Sequence, residues 1–234
     1  MKNKALIVAI SEFTTLVRSK AMEFATHTAP GLKDILLIGK IKEAENRRHS
    51  GAYVFDLIVV DAPPTGRLPR FLEAPRAVAE LVHGGPIRTQ AQGVLDMVID
   101  PKRSQVVLVT LPEEMPVRET AEAAETLQKM GVGLAPMVVN GVYPPIAGLG
   151  RSPAKTLRAA ATSAGLTFSD DAIASLTTVA GVHARRATHQ RALIEELASG
   201  SGQPIVELPF LFTERIGRAE IDSLGAILEE SGAL

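Results

Sequence analysis

Asp61 closes the apolar run FDLIVV (Phe55–Val60) and opens the stretch DAPPTGRLPR (Asp61–Arg70). A carboxylate at the end of a buried strand can hold a hard cation such as magnesium, directly or through water. Thr65 and Gly66, just beyond it, can set a hydroxyl and a close backbone N–H beside a phosphate. The same pattern also serves a strand-ending Asp that caps the next turn, and the spacing does not choose between the two. Two further polar residues end apolar runs: Thr110 after VVLV and Asn140 after MVV. A side-chain amide both donates and accepts, so Asn140 matches an edge of adenine. An Asn that turns the chain with the help of Gly141 is the plainer alternative.

These positions matter only if the runs before them are strands in one sheet. FDLIVVD, SQVVLVT and APMVVN are short apolar runs bounded by polar residues, the mark of strands buried on both faces. QPIVELP reads as a fourth, shorter strand. Between them lie helical patterns: residues 11–29, KDILLIGKIKEAENRR, GGP through Met97, and LPEEMPVRETAEAAETLQKMG with Pro116 early and Gly131 at its end. RLPRFLEAPRAVAELV is helical in pattern, but Pro69 and Pro75 predict a broken or offset helix. HSGAY and GVYPPIAGLGRSPA read as loops. Residues 153–198 and 214–229 read as helix.

Strands alternating with helices predict an α/β fold with a mostly parallel, doubly wound sheet and a helical region, in a single domain over 1–234. In such a sheet ligands bind outside the carboxyl ends of the strands. The strands of Val59, Leu108 and Val138 are therefore expected to pair in parallel, with Asp61, Thr110 and Asn140 at one edge.

Composition closes several other routes. The 234 residues carry a net charge of −1 and no Cys. Electrostatic capture of nucleic acid is not indicated, and disulfides, thiolate metal sites and Cys nucleophiles are excluded. No segment reaches about 18 uninterrupted apolar residues, so no membrane span is expected, and the chain reads as cytoplasmic. His183 and His189 are six apart and do not share a helix face as i, i+4 ligands would. They read as solvated or partner-facing, and Arg185, Arg186 and Arg191 as a solvated basic face balanced by Glu195 and Glu196.

The combination of motifs resembles the ArsA/Get-type anion-transporting ATPases, a deviant-Walker branch of the P-loop NTPases. FDLIVVDAPPTGRLPRFLEAP is similar to that family's switch II segment at Asp61, Pro64, Thr65, Gly66, Arg70 and Pro75, while Arg67 stands in place of the family's His. VVLVTLPEEMPVRETAEAAETLQKMGVGLAPMVVNGVYP resembles the family's next block, and VELPFL its closing strand. The wording around EFATHTAPGLKDILLIGKIKE and DAPPTGR is most similar to bacterial ArsA-like ATPases that occur as paired subunits.

The resemblance implies an ATP-binding, ATP-hydrolysing subunit that uses Mg2+ and drives a dimer switch for transport or targeting. It implies Asp61 as the catalytic and metal-holding carboxylate and Thr65 and Gly66 on the phosphate side. Asn140, Pro209 and Phe210 would surround adenine. It also implies a homodimer, or a heterodimer with a paired ArsA-like ATPase, and leaves peripheral membrane contact open.

One part of the family pattern does not occur in these 234 residues: the Gly-Lys-Gly-Gly phosphate loop after the first strand. ALIVAI, the N-terminal candidate strand, is followed by Ser-Glu-Phe. Without loop N–H groups and a Lys on the phosphates, phosphoryl transfer loses its main electrostatic stabilisation. The expectation is of a domain truncated at its N-terminus and inactive as it stands; the alternative is a non-catalytic partner or scaffold subunit for a complete ArsA-like ATPase. Thiolate capture of metalloids and a Cys-x-x-Cys zinc dimer site are both closed by the lack of Cys. Arg67 is expected to face a partner or the helical region rather than act as an arginine finger, and Met115, Met130 and Met137 to sit in the core.

Overall fold

The structure is a computed structural model that describes residues 5–9, 32–146 and 153–232. The helix expected over 11–29 lies outside the described residues, as does most of the loop after Ile146. The chain groups into two compact units, residues 1–106 with 122–134 and residues 107–121 with 135–234. It is α/β, and its longer strands pair in parallel.

In the first unit, β1 (Ala5–Ala9) pairs in parallel with β4 (Leu57–Asp61), with Ile7 opposite Val59 and Ala9 opposite Asp61. Between them come α1 (Leu32–Asn46) and a small hairpin of β2 (Arg48–His49) and β3 (Ala52–Tyr53). Of the expected loop HSGAY only Ser50 and Gly51 form the turn of that hairpin; His49 and Ala52–Tyr53 belong to its strands. Ser50 (φ 50°) and Gly51 (φ 83°) both take positive φ, as a two-residue turn that follows strand twist requires. Two helices follow, α2 (Leu68–Leu81) and α3 (Pro86–Ile99).

α2 is continuous, against the expectation of a break. Pro69 sits in its first turn, where the missing N–H has no helical partner to lose. Pro75 lies inside the helix and forfeits the bond to Phe71. Its ring is fully buried beside the same face as Phe71, Leu72 and Ala79. Burial of that apolar face offsets the lost hydrogen bond.

The second unit holds a three-stranded parallel sheet in the order β5 (Val109–Thr110), β6 (Met137–Val142), β7 (Ile205–Pro209). α4 (Glu114–Lys129) follows β5 and ends at Gly131, whose φ of 78° stops the helix. α5 (Pro153–Ser163), α6 (Asp170–Ser201) and α7 (Arg218–Glu230) complete the described elements. Met137, Val138 and Val139 on β6 are all buried, and Leu224, Ile227 and Leu228 of α7 pack against Val138, Val206 and Leu208.

α6 is capped at both ends. Ser169 accepts from the Ala172 N–H, Asp170 and Asp171 occupy the first turn, and Gly202 closes it at φ 64°. Its buried residues Gln190, Leu193, Ile194 and Leu197 recur at helical spacing. Arg191 forks onto Glu207 of β7 at 2.5 and 2.9 Å, a bidentate pair that fixes α6 against the strand.

Two strand expectations are corrected. The strand of Asp61 does not pair with those of Leu108 and Val138: its partner is β1, and β5–β6–β7 is a separate sheet. Nor is β4 buried on both faces, since Leu57 is 55% and Val59 44% exposed. β5 is likewise half-covered, with Leu108 and Thr110 buried but Val107 and Val109 exposed. An apolar run records a strand's suitability for burial; a neighbour must still supply the cover.

Replacing Met137, which is 0% exposed on the central strand, with Ala is expected to cost ~2–5 kcal/mol. The urea unfolding midpoint measures this, and a loss well under 1 kcal/mol would refute the packing role. A second expectation concerns pH. Glu220 accepts from the Gly217 N–H at 2.8 Å at the start of α7, and its own and Gly217's backbone N–H hold its carboxyl below the ordinary 4.5. That contribution is present above 4.5 and is lost as pH falls through the lowered value. Acid fraying of α7, followed by amide exchange, is therefore expected in the wild type and is expected to lose its pH dependence in Glu220→Gln.

Candidate functional site

The carboxyl ends of β6 and β7 bring three of the expected residues together. Asn140 pairs with Leu208 in the ladder, Pro209 pairs with Val142, and the Phe210 N–H donates to the Val142 carbonyl at 2.8 Å. The register shifts between Asn140 and Val142, a bulge at Gly141. Gly141 takes φ 78°, so the glycine makes the bend and Asn140 is not needed to turn the chain. The Asn140 side chain is exposed, and its carboxamide makes no hydrogen bond among the described residues. Bulges of this kind re-aim side chains at strand ends. Thr110, the third polar strand end, is spent internally: it is 5% exposed and its hydroxyl donates to the Leu111 carbonyl at 3.2 Å.

Beside Asn140 stands an aromatic group that sequence reasoning missed. Tyr143 packs on Phe210 (4.8 Å between centroids), Phe212 (5.5 Å) and His183 (5.2 Å), and Phe210 on Phe212 (4.9 Å). The Arg186 guanidinium lies 4.4 Å over the Tyr143 ring, a cation–π contact. Gln190, only 2% exposed, accepts the Tyr143 N–H at 2.8 Å. The His183 Nε2–H donates to the Pro144 carbonyl at 2.7 Å. His183 and Arg186 thus belong to this cluster, while the Arg186 side chain stays 49% exposed, in keeping with the solvated basic face expected. The signal was there in the aromatic spacing Phe210–Leu211–Phe212 and in Tyr143 three residues after Asn140, but nothing in one dimension joins them to α6.

A cavity of about 420 Å³ adjoins this cluster, walled by Glu113, Glu114, Met115, Arg186, His189 and Gln190 among others. Arg186 reaches Glu113 at 3.5 Å and His189 reaches Glu114 at 3.7 Å. Met115 is 62% exposed in this wall, so it is no core residue; Met137 is. Among the described residues no group of three or more His, Asp or Glu is placed to hold a metal.

Asp61, the last residue of β4, and Thr65 and Gly66 just beyond it lie in the other unit. Asp61 is exposed and has no ion pair among the described residues. Among the described residues neither the Thr65 nor the Gly66 N–H donates to a backbone acceptor, whereas Arg67 and Leu68 both donate to the Pro64 carbonyl. Arg67 reaches Asp34 of α1 at 3.0 Å.

Each unit's residues can be tested by themselves against one group of a magnesium nucleotide. One free carboxylate fits a magnesium ion that keeps its waters and borrows the phosphates of its nucleotide. The open Thr65 and Gly66 amides suit phosphate oxygens, and a free carboxamide beside exposed aromatic rings suits a base.

Parallel strands joined through helices define an α/β protein. Comparison with known proteins refines this. Residues 86–148 match the model of the ArsA family, described as anion-transporting ATPase. The chain is 41% identical over 201 residues to the ATPase BagA of Mycobacterium tuberculosis, covering 82% of this chain and 58% of BagA. It is 29% identical over 104 residues to an arsenical pump-driving ATPase of Acidiphilium multivorum, covering 38% of this chain and 18% of that protein. A similar protein of Escherichia coli is 28% identical over the same length. The chain belongs to the ArsA-like ATPase family. It spans 58% of the length of BagA, a relative that it matches over 82% of its own residues. No described helix is long and apolar enough to cross a membrane.

Gln190→Ala should leave the Tyr143 amide without its buried acceptor, at a cost of ~1–3 kcal/mol. Exchange of the Tyr143 N–H should speed up, while Gln190→Glu, which keeps an acceptor oxygen, should retain most of its protection. Equal protection in Gln190→Ala and wild type would show the bond to be incidental.

Proposed function

We propose that the chain is the nucleotide-recognising part of an ATP-dependent ArsA-like switch, with a doubly wound sheet as its framework. The observation that carries the reading is the meeting of Asn140, Pro209 and Phe210 at the carboxyl ends of two parallel strands. In this reading Asn140 reads the adenine edge and Pro209 and Phe210 pack on its faces. Asp61 holds magnesium through its waters, and Thr65 and Gly66 address the phosphates. The protein works as a dimer, with itself or with a paired ArsA-like ATPase, and opens and closes with nucleotide in transport or targeting.

These 234 residues contain no Gly-Lys-Gly-Gly loop, so the reading assigns them nucleotide contact without turnover of their own. Titration with a fluorescent ATP analogue and magnesium should show saturable binding that Asn140→Ala weakens about tenfold, the equivalent of one hydrogen-bonded contact. Phosphate release from Mg-ATP should stay at background and be the same in wild type and Asp61→Asn. An Asp61-dependent rate, or an affinity indifferent to Asn140, would overturn the reading.

A second reading is a non-catalytic partner subunit. It is favoured by the exposed apolar residues Ile7 (73%), Leu57 (55%) and Val59 (44%) on one face of the β1–β4 pair, which suit contact with another chain. Binding to a complete ArsA-like ATPase in sedimentation, with no nucleotide bound by this chain alone, would select it.

A further inference from the structure

A groove of about 460 Å³ runs between α1 and α3 in the first unit, lined by Gly39, Lys42, Glu43, Asn46, Arg47 and Gln90. The carboxylates on this side of α1 are already engaged. Glu43 takes Lys40 at 2.6 Å and Arg47 at 3.1 Å, and those cations, Lys40 foremost, hold its carboxyl below the usual range. Glu45 takes Arg103 through two bonds of 2.7 Å. Lys42 is left half-buried, with no hydrogen bond or ion pair to its ammonium among the described residues.

Its seat is made by the facing helix. A Cβ added at Gly93 of α3 would fall onto the Lys42 Nζ and 3.2 Å from its Cε, and no other atom lies near that position. A glycine inside a helix is less stable than alanine, and here no backbone approaches closely enough to require one. The missing side chain admits the ammonium and nothing else. Attraction to the negative end of α1 accounts for a cation near Asn46, but not for the notch cut for it in α3. Gln90 is three residues before Gly93 and so on the same face, and its carboxamide makes no hydrogen bond among the described residues.

We propose that this groove binds a small soluble phosphate-type oxyanion. The Lys42 ammonium is its main donor, joined by the Gln90 carboxamide and the N–H groups that Arg47 does not give to Glu43. The ammonium of half-buried Lys42 has no protein partner among the described residues, and an anion supplies one. A tetrahedral oxyanion offers acceptors in several directions, which suits donors drawn from two helices and a helix end.

The test is an amide-resolved NMR titration of the full chain with sodium phosphate at constant ionic strength, with chloride and acetate in parallel. Saturable shifts at Gly39, Lys42, Gly93 and the Gln90 side chain are expected with phosphate alone. Lys42→Gln should weaken binding at least about tenfold, the loss of one charge-assisted bond. Gly93→Ala should weaken it similarly by displacing the ammonium, with the melting temperature unchanged or raised, because only the end of a flexible side chain must move. The two substitutions together should cost no more than either alone, since both act on one contact.

Shifts that chloride or acetate reproduce would overturn the proposal, as would affinity that neither substitution changes. Binding to phosphatidic acid vesicles without a response to inorganic phosphate would overturn it too.

Discussion

β6 is the constraint on which the second unit depends. It is hydrogen-bonded in parallel on both edges, to β5 through Val138 and Val139 and to β7 from Met137 to Val142. Its side chains Met137, Val138 and Val139 are buried, so both of its faces are covered, and its register is held by the ladder on each edge. Everything useful in this unit is placed relative to it. Leu224, Ile227 and Leu228 of α7 cover its face, and Arg191–Glu207 holds α6 to the neighbouring strand. The register therefore fixes which residue emerges at the carboxyl end, and that residue is Asn140.

The way β6 ends is as important as the way it is held. The bulge at Gly141 lets the ladder resume at Val142, with Phe210 bonded to it, while the Asn140 carboxamide makes no hydrogen bond among the described residues. Immediately beyond, Gln190 reaches from α6 to hold the Tyr143 N–H, and Arg186, one helical turn earlier, covers the Tyr143 ring. A single face of α6 thus orders the chain after the strand. Exposed rings remain at Phe210 and Phe212, 40% and 65% exposed. An apolar surface beside a free amide is a suitable arrangement for a flat heteroaromatic ligand.

The first unit is organised by charge pairing at its surface and by helix packing beneath. Arg103 with Glu45, and Arg67 with Asp34, tie distant parts of the chain to α1. Exposed pairs of this sort add little stability individually; their effect here is to leave particular groups over. Lys42 on α1 and Asp61 at the end of β4 are charged side chains that such pairing does not absorb. Arg67, in contrast, is paired with Asp34 of its own unit.

The sequence by itself determined the order and type of most described elements. Apolar runs marked the strands, helical spacing the helices, and Gly131 the end of α4, because these are local matters of backbone geometry and periodicity; the stretch 153–198, read as helix throughout, is instead two helices, parted between Ser163 and Asp170, and the second runs on to Ser201. It also singled out Asp61 and Asn140, since polar residues that terminate apolar runs stand out in one dimension. It erred where the outcome depends on a neighbour. Pro75 stays inside a continuous helix because burial compensates its missing hydrogen bond, and β4 is half-exposed because pairing with β1 does not cover its face. Only the tertiary structure decided that Tyr143, His183, Arg186 and Gln190 converge, and that Gly93 makes room for Lys42. Those contacts join residues some 40 to 50 positions apart. Short-range pattern has no bearing on them, because helix packing and strand register determine which side chains meet.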